Sequence, residues 1–213
     1  MTARAEDGTP VLALLAALLA YPDDAVRARA LEAARLVAED APEAAELLER
    51  FAADVEALPP GRLEELYSAA FDLDTLSVAE ATCYPYVGHH LFGESYRRSR
   101  FMVGLLERYR ADGFEVDGGE LPDHLLVMLR FLARDPDPDV AEEIVGEALL
   151  PALGRMTCDG DAEELEGPGG RRMYLRLLEA VRRVLGDLLW PDTPVCSYDP
   201  ALVAAGGARS VAE

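Results

Sequence analysis

The sequence predicts an all-α fold, a single-domain helical bundle. Apolar residues recur at helical spacing through nearly the whole chain, while alternating strand-like stretches and hairpin turn pairs flanked by β-branched residues are missing. A length of 213 residues with 50% hydrophobic content is enough for one substantial core and requires no second unit.

A first helix runs through Val11 to Ala20, and Pro22 ends it, because proline disfavours helical geometry in the residue before it. Asp23 or Asp24 then caps a second helix whose apolar stripe is Val26, Ala30, Ala33 and Val37. Pro42 stands in the first turn of a third helix that continues from Glu43 to Ala57, and the two prolines between Leu58 and Gly61 make a loop. Arg62 to Phe71 forms a fourth helix, followed by an acidic connector from Asp72 to Ala81. A long fifth helix is expected after Pro85, carrying Phe92, Tyr96, Val103 and Leu106 and stopping near Gly113, with Phe114 to Gly119 as a surface loop.

Leu125, Met128, Leu129 and Leu132 follow the i, i+3, i+4, i+7 rule and define a sixth helix. The DPDPD run at Asp135 to Asp139 closes it and opens the next, which contains Ile144 and Leu149 and is bent or broken at Pro151. Asp159 to Gly170, acidic and then rich in glycine and proline, reads as a flexible loop. The last strong helix uses Met173, Leu177, Val181, Val184, Leu185 and Leu188. The helical domain therefore takes residues 1–190, and residues 191–213, with three prolines and no periodicity, read as a disordered tail.

Charge narrows the function classes. Forty acidic residues against twenty basic ones give a formal net charge of -20, and every basic residue is arginine. Such a chain repels nucleic acid and anionic lipid and attracts cationic partners. The imbalance is local as well: eleven acids lie between Asp112 and Glu147 against Arg130 and Arg134 alone. Arg97, Arg98 and Arg100 cluster on the fifth helix and Arg171, Arg172 and Arg176 open the last one, all expected to be solvated faces making helix-surface ion pairs. Cys83, Cys158 and Cys196 are odd in number, far apart and form no CxxC pair, which suggests neither a disulfide framework nor a zinc site and fits a reducing compartment. The apolar run from Val11 to Ala20 covers ten positions, too few for a membrane span, and with Glu6 and Asp7 before it the N-terminus lacks the cationic start of a secretion signal. A cytoplasmic chain is the expectation.

Two segments concentrate polar chemistry. In ELPDH, Glu120, Asp123 and His124 stand at the start of the sixth helix, with Pro122 placed for its first turn and the carboxylates favoured by the helix dipole. In CYPYVGHHLFGE, His90 and Glu94 are four apart and share one face of the long helix, as Glu120 and His124 do on theirs. This spacing permits a metal-dependent hydrolase built on His90, Glu94, Glu120 and His124, although the E-x-x-H pairs of carboxylate-bridged bundles are missing. No nucleophile elbow is present, and a P-loop cannot be written without lysine. Binding is favoured over catalysis.

From about Tyr67 to Ala133 the chain carries, in order, LYSAAFDLD, a helix with H-x-F-G-E-S followed by arginines, Tyr109-x-x-x-Gly113, and ELPDH. In this order the motifs resemble the molybdenum-enzyme assembly chaperones, the family of the nitrate reductase delta subunit and of the TorD and DmsD proteins. The resemblance implies a non-enzymatic, TorD-like helical chaperone that binds the N-terminal, twin-arginine-like segment of a molybdopterin oxidoreductase catalytic subunit, nitrate reductase alpha or a relative. It supports molybdenum cofactor insertion in that partner before membrane targeting, holds no cofactor of its own, binds no nucleic acid, does not insert in the membrane, and is a monomer or weak dimer. Carried over position by position, the resemblance puts peptide contacts on Glu120, Leu121, Pro122, Asp123 and His124, on Pro85 and Tyr86, on His90 and Glu94 of the H-x-F-G-E-S motif, and on Phe71. The Tyr-Pro-Tyr before the helix departs from the nitrate-branch pattern and leaves the particular client open. Phe71, Tyr86 and Leu121 are then expected to form an apolar groove whose rim carboxylates, Glu120 and Asp123, meet the arginines of the bound segment.

Overall fold

A computed structural model describes residues 9–71, 83–116, 119–134, 136–158 and 170–189. Among these residues every regular element is a helix. The elements are α1 (Pro10–Leu18), α2 (Val26–Val37), α3 (Pro42–Ala57), α4 (Arg62–Phe71), α5 (Val87–Phe92), α6 (Tyr96–Ala111), α7 (Leu125–Leu132), α8 (Pro138–Glu143), α9 (Leu150–Cys158) and α10 (Gly170–Leu189). A π-helical segment, Ile144–Leu149, joins α8 to α9. The acidic connector from Asp72 to Ala81 and the tail 191–213 lie outside the described residues, as does the loop from Asp159 except for its last residue, Gly170, which opens α10.

Proline sets three of the starts: Pro10, Pro42 and Pro138 each occupy a first-turn position, where the missing N–H costs no helical bond. The DPDPD run works as its composition suggests, with Asp137 Oδ1 capping α8 by accepting from Asp139 N at 2.9 Å. At Pro151 the chain does not break. The preceding turn widens to π-helical geometry, which accommodates a residue that cannot complete the i→i−4 ladder.

α10 organises the core by packing on α3, α4 and α9, while α1 bridges α2 to α7 and α5 rests on α6 and α9. The buried faces of α2 and α3 are rich in alanine, including Ala30, Ala33, Ala34, Ala44, Ala45 and Ala52, which lets these helix backbones approach closely. One hydrophobic cluster runs from Val11 to Leu185. Because α10 is covered on most sides, its charges pair internally: Arg182 and Arg183 both bond Glu179, and Arg176 pairs with Asp54 of α3. The expectation that Arg176 is a solvated surface charge is therefore corrected, since it is buried in the α3–α10 contact.

The expected long fifth helix is two helices. Gly93 adopts φ 61° and ψ −162°, a region closed to residues with a Cβ, and the chain turns through Glu94 and Ser95 before α6 begins. No helix among the described residues is long and apolar enough to cross a membrane.

Candidate functional site

Helix starts leave backbone N–H groups without intrahelical partners, and at α5 and α7 each start is satisfied by the other. Val87 N, the first residue of α5, donates to Asp123 O at 2.8 Å, and Leu125 N, the first residue of α7, donates to Pro85 O at 2.8 Å. Tyr86 and His124 thereby form an isolated antiparallel bridge. Two loops 38 positions apart are stapled into one rim.

His124, and not the acids, caps α7: its Nδ1 accepts from Leu126 N at 3.1 Å. Pro122 and Asp123 precede the helix in a turn, so the placement of Pro122 in the first helical turn is corrected. An accepting Nδ1 puts the neutral ring's proton on Nε2, which faces Glu120 Oε2 at 4.0 Å. Burial lowers the His124 pKa from its ordinary 6.5, with Glu120 and Asp123 opposing that shift and Arg130 adding to it.

Glu120 is partly exposed and accepts from Tyr86 Oη at 3.0 Å and from Leu121 N at 3.0 Å. Burial, then the bond to Glu120, raise the Tyr86 pKa, so its hydroxyl remains a donor. The Tyr86 ring meets His124 edge-on at 5.1 Å and lies tilted against Tyr84 at 5.0 Å, while Leu121, whose N–H bonds the same Glu120 oxygen as Tyr86 Oη, is 40% exposed. Adjoining Glu120 is a concavity of ≈ 220 Å³ lined by Phe114, Glu115, Val116, Leu126, Val127 and Arg130.

Asp123 is not on the rim. It is fully buried and accepts from Arg98 Nε at 3.0 Å, so its expected role as an exposed partner for incoming arginines is corrected. Arg98 is likewise not solvated; only 9% of its side chain is exposed, its Nη1 bonds Glu94 at 2.8 Å, and its guanidinium lies 5.5 Å over the Tyr86 ring. Gly88 makes room for this pair: a Cβ there would sit 2.7 Å from Asp123 Oδ2.

Other expected residues divide. His90 and Glu94 do not share a helix face, because α5 has ended before Glu94; His90 Nε2 lies 2.7 Å from Tyr84 O, and it is His89 that approaches Glu94, at 3.3 Å. Glu120 and His124 are not on one helix either, since α7 starts after both. Among the described residues no group of three or more His, Cys, Asp and Glu can hold a metal ion, and the four residues of the hydrolase reading do not converge on one. Phe71 packs against Tyr67 at 4.9 Å and Tyr174 at 4.9 Å, in the aromatic cluster of α4 and α10. Glu120 is near enough to this cluster for its charge to add to the burial that raises the Tyr67 pKa.

Sequence reasoning assigned no role to Tyr109, whose buried hydroxyl donates to Pro122 O at 2.9 Å and anchors the ELPDH turn. The Tyr109-x-x-x-Gly113 spacing ahead of that turn was the available signal.

Comparison with known proteins places this site within a matched region. The family model described as "Nitrate reductase delta subunit" matches residues 34–147, more than half of the chain and both rim segments. The nitrate reductase molybdenum cofactor assembly chaperone NarJ of Escherichia coli (strain K12) is 32% identical over 145 residues, which are 67% of this chain and 59% of that protein. The chain thus spans about three fifths of the length of that relative. The probable nitrate reductase molybdenum cofactor assembly chaperone NarW of the same organism is 26% identical over 183 residues, 86% of this chain and 71% of the relative.

Proposed function

We propose, from the premise that this chain belongs to the nitrate reductase delta subunit family, that it is a cytoplasmic assembly chaperone for a molybdenum-dependent oxidoreductase of the nitrate reductase type. It binds the N-terminal segment of the catalytic subunit, holds that subunit while the molybdenum cofactor enters it, and contributes no catalytic group of its own. Two relatives whose names carry the nitrate reductase assembly role support this reading.

The observation that carries the binding site is the stapled rim. Tyr86 and Leu121 offer apolar surface, and Glu120 is a half-exposed carboxylate at its edge. A helical or extended segment with an apolar stretch and flanking arginines matches that surface, its guanidinium groups meeting Glu120 by charge-assisted bonds. A net charge of -20 steers such a segment inward from a distance, and the rim charge governs on-rate and selection more than affinity. Within this reading Asp123 and Arg98 hold the rim in shape, and Glu120, Leu121 and Tyr86 face the partner.

Isothermal titration with a peptide of roughly the first thirty residues of a nitrate reductase catalytic subunit tests the assignment. Leu121→Ala removes a partly exposed side chain and should leave helicity unchanged while weakening binding by about 3- to 10-fold, the range of a single apolar interface contact. Equal dissociation constants for the wild type and Leu121→Ala together with Glu120→Gln would remove the site from the rim.

A further inference from the structure

α6 has one face turned inward and one left open. Arg98, Leu105 and Tyr109 are buried and support the rim from behind, Arg98 through Asp123 and Tyr109 through Pro122 O. On the opposite side Tyr96 and Val103 are 79% and 55% exposed, the two most exposed large apolar side chains of this helix. Among the described helices α6 is also the most basic, with five arginines against Glu107 on a chain whose net charge is -20. Arg100, Glu107 and Arg110 are exposed, and none of them forms an ion pair with a described residue.

The open face has an order of its own. Tyr96, Val103 and Arg110 follow one another at seven-residue intervals and so lie in one line along the helix, with Arg100 and Glu107 on one flank and Ser99 and Leu106 on the other. At a rise of about 1.5 Å per residue, Arg100 stands about 4.5 Å before Val103 and Glu107 about 6 Å after it. When a second α6 is laid antiparallel against the first, with a two-fold axis at Val103, the Arg100 and Glu107 flank falls on the same side in both copies. Arg100 then stands level, to within about 1.5 Å, with Glu107 of the second copy, and the reciprocal pair forms as well. Tyr96 comes opposite Arg110 of the second copy, ring against guanidinium, and Val103 meets its own counterpart. A parallel pairing would instead set Arg100 against Arg100 and Glu107 against Glu107. Two chains this acidic repel each other over most of their surface, and the basic helix is where their approach costs least.

We infer that α6 is a self-association surface, on which two copies of this chain pair antiparallel along the Tyr96–Val103–Arg110 line with an Arg100–Glu107 ion pair on either side of Val103. One helix pair buries less than the roughly 1,200–2,000 Å² of a stable interface, so the dimer is a weak one, with a dissociation constant on the order of 10–100 μM. Arg98 and Tyr109 lie on the other side of the helix, so each copy keeps its own rim open. The contact does not depend on the function proposed above.

Sedimentation equilibrium of the full chain from roughly 5 to 500 μM tests the pairing. The apparent mass should rise from 23.1 kDa towards twice that value. Val103→Glu places two like charges at the axis and should weaken the dimer at least about 10-fold, with helicity by circular dichroism unchanged because the position is exposed. Arg100→Glu and Glu107→Arg each set like charges opposite one another, and each alone should remain monomeric. An equimolar mixture of these two variants should regain the dimer, since both contacts between positions 100 and 107 then join opposite charges. A mass of 23.1 kDa at every concentration of the wild type overturns the inference. A dimer that persists in Val103→Glu puts the association elsewhere, and a mixture that stays monomeric refutes the two-fold pairing. The N-terminal client peptide should bind Val103→Glu as tightly as the wild type. Loss of that binding in a chain that does not self-associate would assign the open face to the client instead.

Discussion

Replacing Gly88 by alanine makes a sharp test of how the rim is built, because two effects of opposite sign meet at one atom. Gly88 lies in α5, and alanine in a helix interior is favoured over glycine by up to about 1 kcal/mol. The added Cβ would stand 2.7 Å from Asp123 Oδ2, 3.1 Å from Arg98 Cγ and 3.1 Å from Phe101 Cδ1. The first of these contacts cannot be relieved by rotating a surface side chain, since Asp123 is fully buried and bonded to Arg98. Overpacking costs about 1–3 kcal/mol, less than the about 3–5 kcal/mol of separating the buried pair, so the site yields by overpacking and, after the helix gain, the net expectation is a loss of up to about 3 kcal/mol. For a chain of this size that is a fall in Tm of about 2–4 °C per kcal/mol. Gly154 in α9 is the matched control: a Cβ there meets nothing within 4 Å, and Gly154→Ala should stabilise by up to about 1 kcal/mol. Urea denaturation of the two variants in parallel reads the difference. A Gly88→Ala protein as stable as Gly154→Ala would refute the close approach of α5 to the Arg98–Asp123 pair.

Further expectations come from the same geometry. Tyr109→Phe removes a buried donor from Pro122 O and should cost about 1–2 kcal/mol in urea denaturation, with the α7 amides losing hydrogen-exchange protection first. Asp123→Asn breaks a buried pair and should cost about 3 kcal/mol or more, whereas Glu56→Ala, which breaks the exposed pair with Arg27, should change stability by less than about 0.5 kcal/mol. Burial lowers the His124 pKa, against the pull of Glu120 and Asp123 and with the push of Arg130, so the unfolded chain binds its proton at higher pH than the folded one. Stability should therefore fall as pH drops below about 6.5 and level off once the folded-state pKa is passed, and His124→Asn, which keeps a capping oxygen, should flatten that part of a Tm-against-pH profile.

Much of the fold was legible because its signals are local. Pro42, the 62–71 helix and the DPDPD cap each announce themselves within one turn of chain, and the structure puts α3, α4 and α8 where those residues indicate. The break at Gly93 was less visible, since a single glycine inside an apolar helical pattern is tolerated and only its positive φ reveals the turn. The site was legible as two segments but not as an arrangement. The Tyr86–His124 bridge and the Tyr86–Glu120 bond bring the two segments together, an arrangement that neither segment announces alone. The inward turn of Asp123 depends on Arg98, 25 positions earlier, and no spacing rule connects an acid before one helix with a base on another. For the same reason His124 was not read as the cap of α7; histidine is an unusual cap, and its role follows from burial and from the orientation of Nδ1 toward Leu126.

The most direct test of the central claim is to watch the rim while the partner binds. Titrating the unlabelled N-terminal segment of a nitrate reductase catalytic subunit into isotope-labelled protein should move the backbone amide signals of residues 84–90 and 119–126 together and with one dissociation constant. Signals that shift elsewhere while both rim segments stay still would contradict it.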